Sequence, residues 1–136
     1  MAFTLTSPDF VHEGAIPARF TCEGDDVSPG LRWSDAPEGT RSFALIVDDP
    51  DAPDPAAPRR VWVHWVLYNL PARVTELACA VPPRLLPGDT LVGKNDWGRT
   101  GYGGPCPPIG RHRYFFSLHA LDALLPLLHQ PARAQL

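Results

Sequence analysis

Two histidines, a pair of carboxylates and a run of glycines are the groups in this 136-residue chain that a packed core has little use for. His64 stands in VWVHWVLYN, embedded among aromatic and β-branched residues, and His112 opens the alternating run HRYFFSLH two positions before Tyr114. Asp49 and Asp51 lie in DPDAP, where Pro50 and Pro53 stiffen the backbone that aims them. Between the histidines runs NDWGRTGYGGPCPPIG, residues 95–110, whose glycines free the backbone and whose prolines remove donors. If the segments carrying these groups are neighbours, they enclose a small polar hollow. An imidazole beside a carboxylate tends to stay protonated, Tyr114 offers a hydroxyl, and loop amides form a nest, so the hollow suits an anion. Trp62 adds an apolar wall and biases the site toward phosphorylated or carboxylated ligands with an organic portion.

Taken singly, each piece has an ordinary explanation. DPDAP is a common turn composition, a lone buried histidine is usually a satisfied core residue, and HRYF is an amphipathic strand. Only their joint presence argues for a site. Other chemistry is less well served. Two histidines and one carboxylate match a metal-binding triad in type, either histidine could act as a general base, and Cys106 precedes His112 by six residues. Cys106, however, lies between prolines without a helix N-terminus to lower its pKa, and GxSxG, HExxH and Walker A patterns are absent from the sequence. The reading is a non-enzymatic binding module, with no metal and no cofactor.

The elements that must position these groups are short strands. Ala2–Thr6 alternates as a first strand, Ile16–Thr21 reads as a second, and Trp33 is a core anchor. Ser42–Asp48 is apolar enough to be buried on both faces and runs into the DPDAP segment. Val61–Asn69 reads as a central strand with Val61, Val63, Trp65 and Leu67 on one face and Trp62, His64, Val66 and Tyr68 on the other. Residues 70–94 are loop with a weak strand, and in 112–119 His112, Tyr114, Phe116 and Leu118 share a face. Near the end, Pro126 and Pro131 rule out one long helix. Many short strands with frequent turns indicate an all-β, antiparallel Greek-key sandwich, here read as a single domain over residues 1–136.

Composition narrows the function classes. A net charge of −3 with scattered basic residues gives no footprint for nucleic acid. Seventeen prolines, dispersed between apolar runs, punctuate short elements instead of marking a disordered linker. Cys22, Cys79 and Cys106 make an odd set with no CxxC pairing and read as reduced thiols of a cytoplasmic protein. MAFTLTSPDF has neither the basic nor the apolar region of a leader, and no run approaches a membrane span, so no integral membrane association is expected.

DPDAP, the WVH of the central strand, GYGGPCPP followed by HRY, and ALD, together with GDDVSPGLRW and GKNDWG, resemble the phosphatidylethanolamine-binding protein family, also called Raf kinase inhibitor-like, in its bacterial branch. The resemblance spans Phe3 to Asp122. It implies a β-sandwich whose pocket takes phosphate-like groups, including phospholipid head groups. The family's pocket residues match Asp49, Trp62, His64, Pro107 or Pro108, His112 and Tyr114. It further implies that Asp51 supports the site through Arg113 or loop amides, that Pro53 follows a cis bond, and that Gly103 and Gly104 shape the loop. Relatives continue through C-terminal helices beyond the point matching Leu136, so a homodimer covering the apolar edge is expected. Modulation of a partner protein belongs to the binding-module reading; the alternatives are inhibition of a kinase or protease through surface loops such as 52–60, which the family name suggests, and a His/Asp metal-dependent enzyme.

Overall fold

The computed structural model describes residues 3–10, 16–21, 24, 26–52, 60–81, 86, 88, 90–98, 100–104 and 114–123. Among the described residues, seven strands form two antiparallel sheets: β1 (Thr4–Thr6), β2 (Leu31–Ser34) and β5 (Glu76–Leu77) in one, and β6 (Leu91–Val92), β4 (Arg60–Pro71), β3 (Ser42–Ala52) and β7 (Phe115–Leu121) in the other. The spatial order 7-3-4-6 places a late strand beside the first of its sheet, the Greek-key return. β3 and β4 are the long central pair, as their two-sided apolar composition requires.

The core lies between the sheets. Leu31, Trp33 and Leu77 from the small sheet meet Phe43, Leu45, Val47, Trp65, Leu67 and Leu70 from the large one, and Phe116, Leu118 and Ala120 of β7 pack against them. Trp33 meets Phe43 edge-on at 5.6 Å between ring centroids, and its indole N–H donates to the Val74 carbonyl at 2.9 Å. That bond satisfies the polar end of an otherwise buried ring.

Three expectations are corrected. Ile16–Thr21 is not a strand: Ala18–Phe20 is a 3-10 turn closed by Phe20 N–H donating to the Pro17 carbonyl at 3.0 Å, because Pro17 fixes a φ suited to starting a turn. The simple alternation along β4 also fails. Val47 pairs with Trp65 and Asp48 with Val63, so β3 advances one residue where β4 advances two, and His64 is the extra residue of a β-bulge. The bulge inverts the alternation. Val63 therefore joins Asp48 on the face away from the core, whereas Trp62, paired with Asp49, shares the core face. A second shift lies between the Phe43–Leu70 and Leu45–Leu67 pairs, where Asn69 takes a left-handed φ of 58°. The DPDAP segment also differs from a plain turn, since β3 continues through Ala52. A third irregularity between Asp49 and Ala52 absorbs Pro50, which cannot donate to a ladder.

Leu45 is fully buried at the middle of the core, whereas Phe115 on the outer face of β7 is 48% exposed. Leu45→Ala is expected to lower unfolding free energy by about 2–5 kcal/mol, and Phe115→Ala by less than about 1 kcal/mol. Urea unfolding of both variants checks the ordering.

Candidate functional site

The bulge in β4 presents His64 at the end of the core, 3% exposed. Its ring is walled by two aromatics, Trp97 at 5.1 Å and Tyr114 at 5.3 Å between centroids, both edge-to-face. Trp97 also meets Trp62 edge-on at 5.4 Å, and with 39% exposure it forms the outer lip of this group. Tyr114 immediately precedes β7, one position beyond the Asp48–Phe115 pair.

The loop that carries Trp97 is fastened to the edge of β4 at several points. Asp96 accepts from the Val63 amide at 2.7 Å through Oδ2 and donates its own amide to the Val63 carbonyl at 2.9 Å. Asn95 accepts from the Trp97 amide and donates through Nδ2 to the Gly101 carbonyl. The Gly103 amide then donates to the His64 carbonyl at 3.0 Å. A side chain at Gly103 would run into the Trp97 ring, and one at Gly104 would meet the Phe20 carbonyl and the Asp26 carboxylate. The two glycines are thus required by close approach. The Gly104 amide donates to Asp26 Oδ1 at 2.7 Å, and the Tyr102 hydroxyl to the Phe20 carbonyl at 2.8 Å, which ties the loop to the 3-10 turn. Burial raises the Tyr102 hydroxyl well above its ordinary pKa, so it remains a donor.

The hydrogen bond that decides the chemistry joins His64 Nδ1 to the Gly103 carbonyl at 2.7 Å. A carbonyl can only accept, so Nδ1 carries the proton, and in the neutral ring Nε2 is left with a lone pair. Nε2 is buried and has no hydrogen-bond partner among the described residues. Leaving such an atom unsatisfied costs about 1–3 kcal/mol. Burial lowers the His64 pKa from 6.5, and this outweighs the Gly103 bond and the charges of Asp49, Asp48 and Asp96, which raise it. The expectation that a neighbouring carboxylate keeps this imidazole protonated is therefore overturned for His64: desolvation is the larger effect, and the ring is neutral at pH 7.

The structure brings together Asp49, Trp62, His64, Tyr114 and Gly103, with Gly104 anchoring the loop behind them. Asp51 lies within β3. Pro53, Pro107, Pro108, His112 and Arg113 lie outside the described residues, as do Cys22 and Cys106. Cys79 is a free thiol. Trp97 and Asp96 belong to the site and were not singled out from the sequence. The available signal was GYGG, since adjacent glycines before a strand mark a backbone approached closely by a bulky group. Among the described residues, no cluster of three metal-ligating side chains exists, and no helix is long and apolar enough to cross a membrane.

Residues 6–136 match the profile of the family described as phosphatidylethanolamine-binding protein. A UPF0098 protein of Methanothermobacter thermautotrophicus is 50% identical over 124 residues, covering 90% of this chain and 79% of that protein. The crystal structure of the PEBP homolog CT736 from Chlamydia trachomatis superimposes with a TM-score of 0.88 at 37% identity, over 98% of this chain and 84% of that one. Escherichia coli YbcL, described as a member of the mammalian PEBP family, gives a TM-score of 0.85 at 37% identity over 97% of this chain and 84% of its own.

Two measurements test this geometry. Gly103→Ala drives a methyl group into Trp97 and is expected to cost about 1–3 kcal/mol, with a shifted tryptophan emission as the ring is displaced. The second is the pH dependence of the ligand-free protein. The unfolded imidazole takes a proton near 6.5 and folded His64 only below that. The unfolded state thus binds more protons between the two values, and stability falls as pH drops through 6.5. Thermal melts of wild type and His64→Gln at pH 7.5 and 5.5 should show the larger acid loss in wild type.

Proposed function

Because the chain belongs to the phosphatidylethanolamine-binding protein family, we propose that it is a non-enzymatic binding module that captures a small phosphate-like anion or phosphorylated head group at His64. The observation that carries this reading is the orphaned Nε2: a buried polar atom on a residue only 3% exposed, aimed by a bulge, and left without a partner among the described residues. A core histidine with no ligand to receive would gain from a partner within the fold. Bulges recur beside binding sites because they re-aim a side chain at the point where they interrupt the ladder.

The aromatic walls divide the labour. Trp62, Trp97 and Tyr114 exclude water around His64 and offer apolar surface to the organic part of a ligand. Exclusion of water strengthens whatever polar contact Nε2 makes. Asp49 on the neighbouring strand sets the sign of the local field, and its charge raises the His64 pKa. An anion arriving at the ring raises that pKa further, so capture and protonation of the site reinforce each other. Among the described residues no hydroxyl or thiol stands in hydrogen-bond contact with Nε2 to be activated as a nucleophile, and Asp49, Asp48 and Asp96 act on the ring through their charge. In the same reading the protein acts in the cytoplasm and modulates a partner according to whether the site is filled.

The test is a thermal melt with inorganic phosphate or phosphoethanolamine against chloride at matched ionic strength. A ligand at a hundred times its Kd contributes about 2.7 kcal/mol, a rise of several degrees, and the rise should be larger at pH 6 than at pH 7.5. His64→Gln should lose the specific part while keeping the general salting effect that both proteins share. Equal shifts in wild type and variant at both pH values would overturn the proposal.

A further inference from the structure

We infer that Trp97 is the gate of the site: its indole lies shut against His64 in this structure and swings out about its own side-chain bonds to admit a ligand. The inference rests on the anion-binding reading above for what enters, and adds how the site opens and closes. Nε2 of His64 is buried without a partner among the described residues, on a residue only 3% exposed. A molecule arriving from solvent reaches that atom only when a wall moves. The described walls are the Trp97 ring at 5.1 Å, the Tyr114 ring at 5.3 Å, and the Gly103 carbonyl that receives His64 Nδ1 at 2.7 Å.

These walls differ in how firmly they are held. Gly103 is joined to His64 by hydrogen bonds in both directions. Tyr114 leads straight into the β7–β3 ladder beside the Phe115–Asp48 pair, and the register of that ladder fixes where its ring stands. The Trp97 indole is held by ring contacts: it meets His64 and Trp62 edge-on and rests on Gly103, where a Cβ would strike it. Its outer side is open, since Trp97 is 39% exposed and a Cβ built at Gly98 or Gly101 meets nothing within 4 Å. A partly exposed ring changes rotamer far faster than a hydrogen-bonded ladder opens.

The backbone around the ring is a fixed mount. Asp96 exchanges two hydrogen bonds with Val63 of β4, at 2.7 and 2.9 Å. Asn95 accepts from the amides of Trp97 and Gly98 and donates to the Gly101 carbonyl, while Lys94 bridges to Thr100. Motion is thereby confined to the indole. Shut, the ring keeps water from Nε2 and strengthens whatever contact a captured ligand makes there. Open, it uncovers the nitrogen and leaves the bulge and the loop in place.

Diethyl pyrocarbonate, which acylates the unprotonated nitrogen of an imidazole, tests the gate without any ligand when peptide mass spectrometry follows each histidine at pH 7. In the wild type His64 should react more slowly than exposed His119. Its rate should be nearly insensitive to urea below about 1 M, because turning one side chain exposes little surface. Trp97→Leu should raise the His64 rate by about tenfold and leave that of His119 unchanged. The same change at the other wall, Tyr114→Leu, should raise it less; the reverse order overturns the assignment to Trp97. Labelling of wild-type His64 that is as fast as that of His119, or that follows global unfolding in urea, also overturns the gate. This urea dependence needs no variant, so it decides the question even where Trp97→Leu does not fold. Inorganic phosphate should slow His64 labelling; labelling gated by Trp97 but indifferent to phosphate supports the gate and overturns the anion-binding reading alone.

Discussion

Two hydrogen bonds run between the same two residues in opposite senses: the Gly103 amide donates to the His64 carbonyl, and His64 Nδ1 donates to the Gly103 carbonyl. This reciprocal clasp joins the loop to the strand at the point where the strand carries its extra residue. It acts together with the Asp96–Val63 bonds to hold the bulge in one orientation and to place Trp97 over the ring. Only glycine permits it, since any side chain at 103 would occupy the volume taken by that indole. The rest of the sandwich supplies a stiff frame for the clasp, with Leu45, Leu67 and Leu70 fully buried in its core.

The site is a balance of opposed terms. Burial penalises a charged imidazole, while Asp49, Asp48 and Asp96 favour one, and burial prevails. A neutral histidine with three carboxylate charges around it stands between opposed effects, and further negative charge beside it raises its pKa. The aromatic walls keep the ring desolvated and so preserve that balance.

Much of the architecture could be read from residue order. The alternation in Phe115–Leu121 gave its inward face correctly, because Phe116, Leu118 and Ala120 pack on the core in an unbroken ladder with β3. The two-sided apolar runs identified β3 and β4 as central strands for the same reason. Alternation failed where the ladder slips: a bulge is an insertion relative to a partner strand, and one strand's own sequence carries no record of it. The face of Val63 and the special placement of His64 were illegible on that ground. Trp97 was missed because its role depends on a glycine six residues later and on a strand more than thirty residues earlier. Ile16–Thr21 was read for its apolar residues, when Pro17 decided the local geometry.

The central claim is that His64 holds its proton on Nδ1 and keeps Nε2 as the receiving atom. Nitrogen-15 NMR of the histidine ring measures this directly, before and after addition of inorganic phosphate at pH 6.5. The account predicts a protonated Nδ1 and an unprotonated Nε2 in the free protein, with the Nε2 resonance moving toward its protonated or hydrogen-bonded position as phosphate is added. A free protein with its proton on Nε2, or a ring unchanged at saturating phosphate, would contradict it.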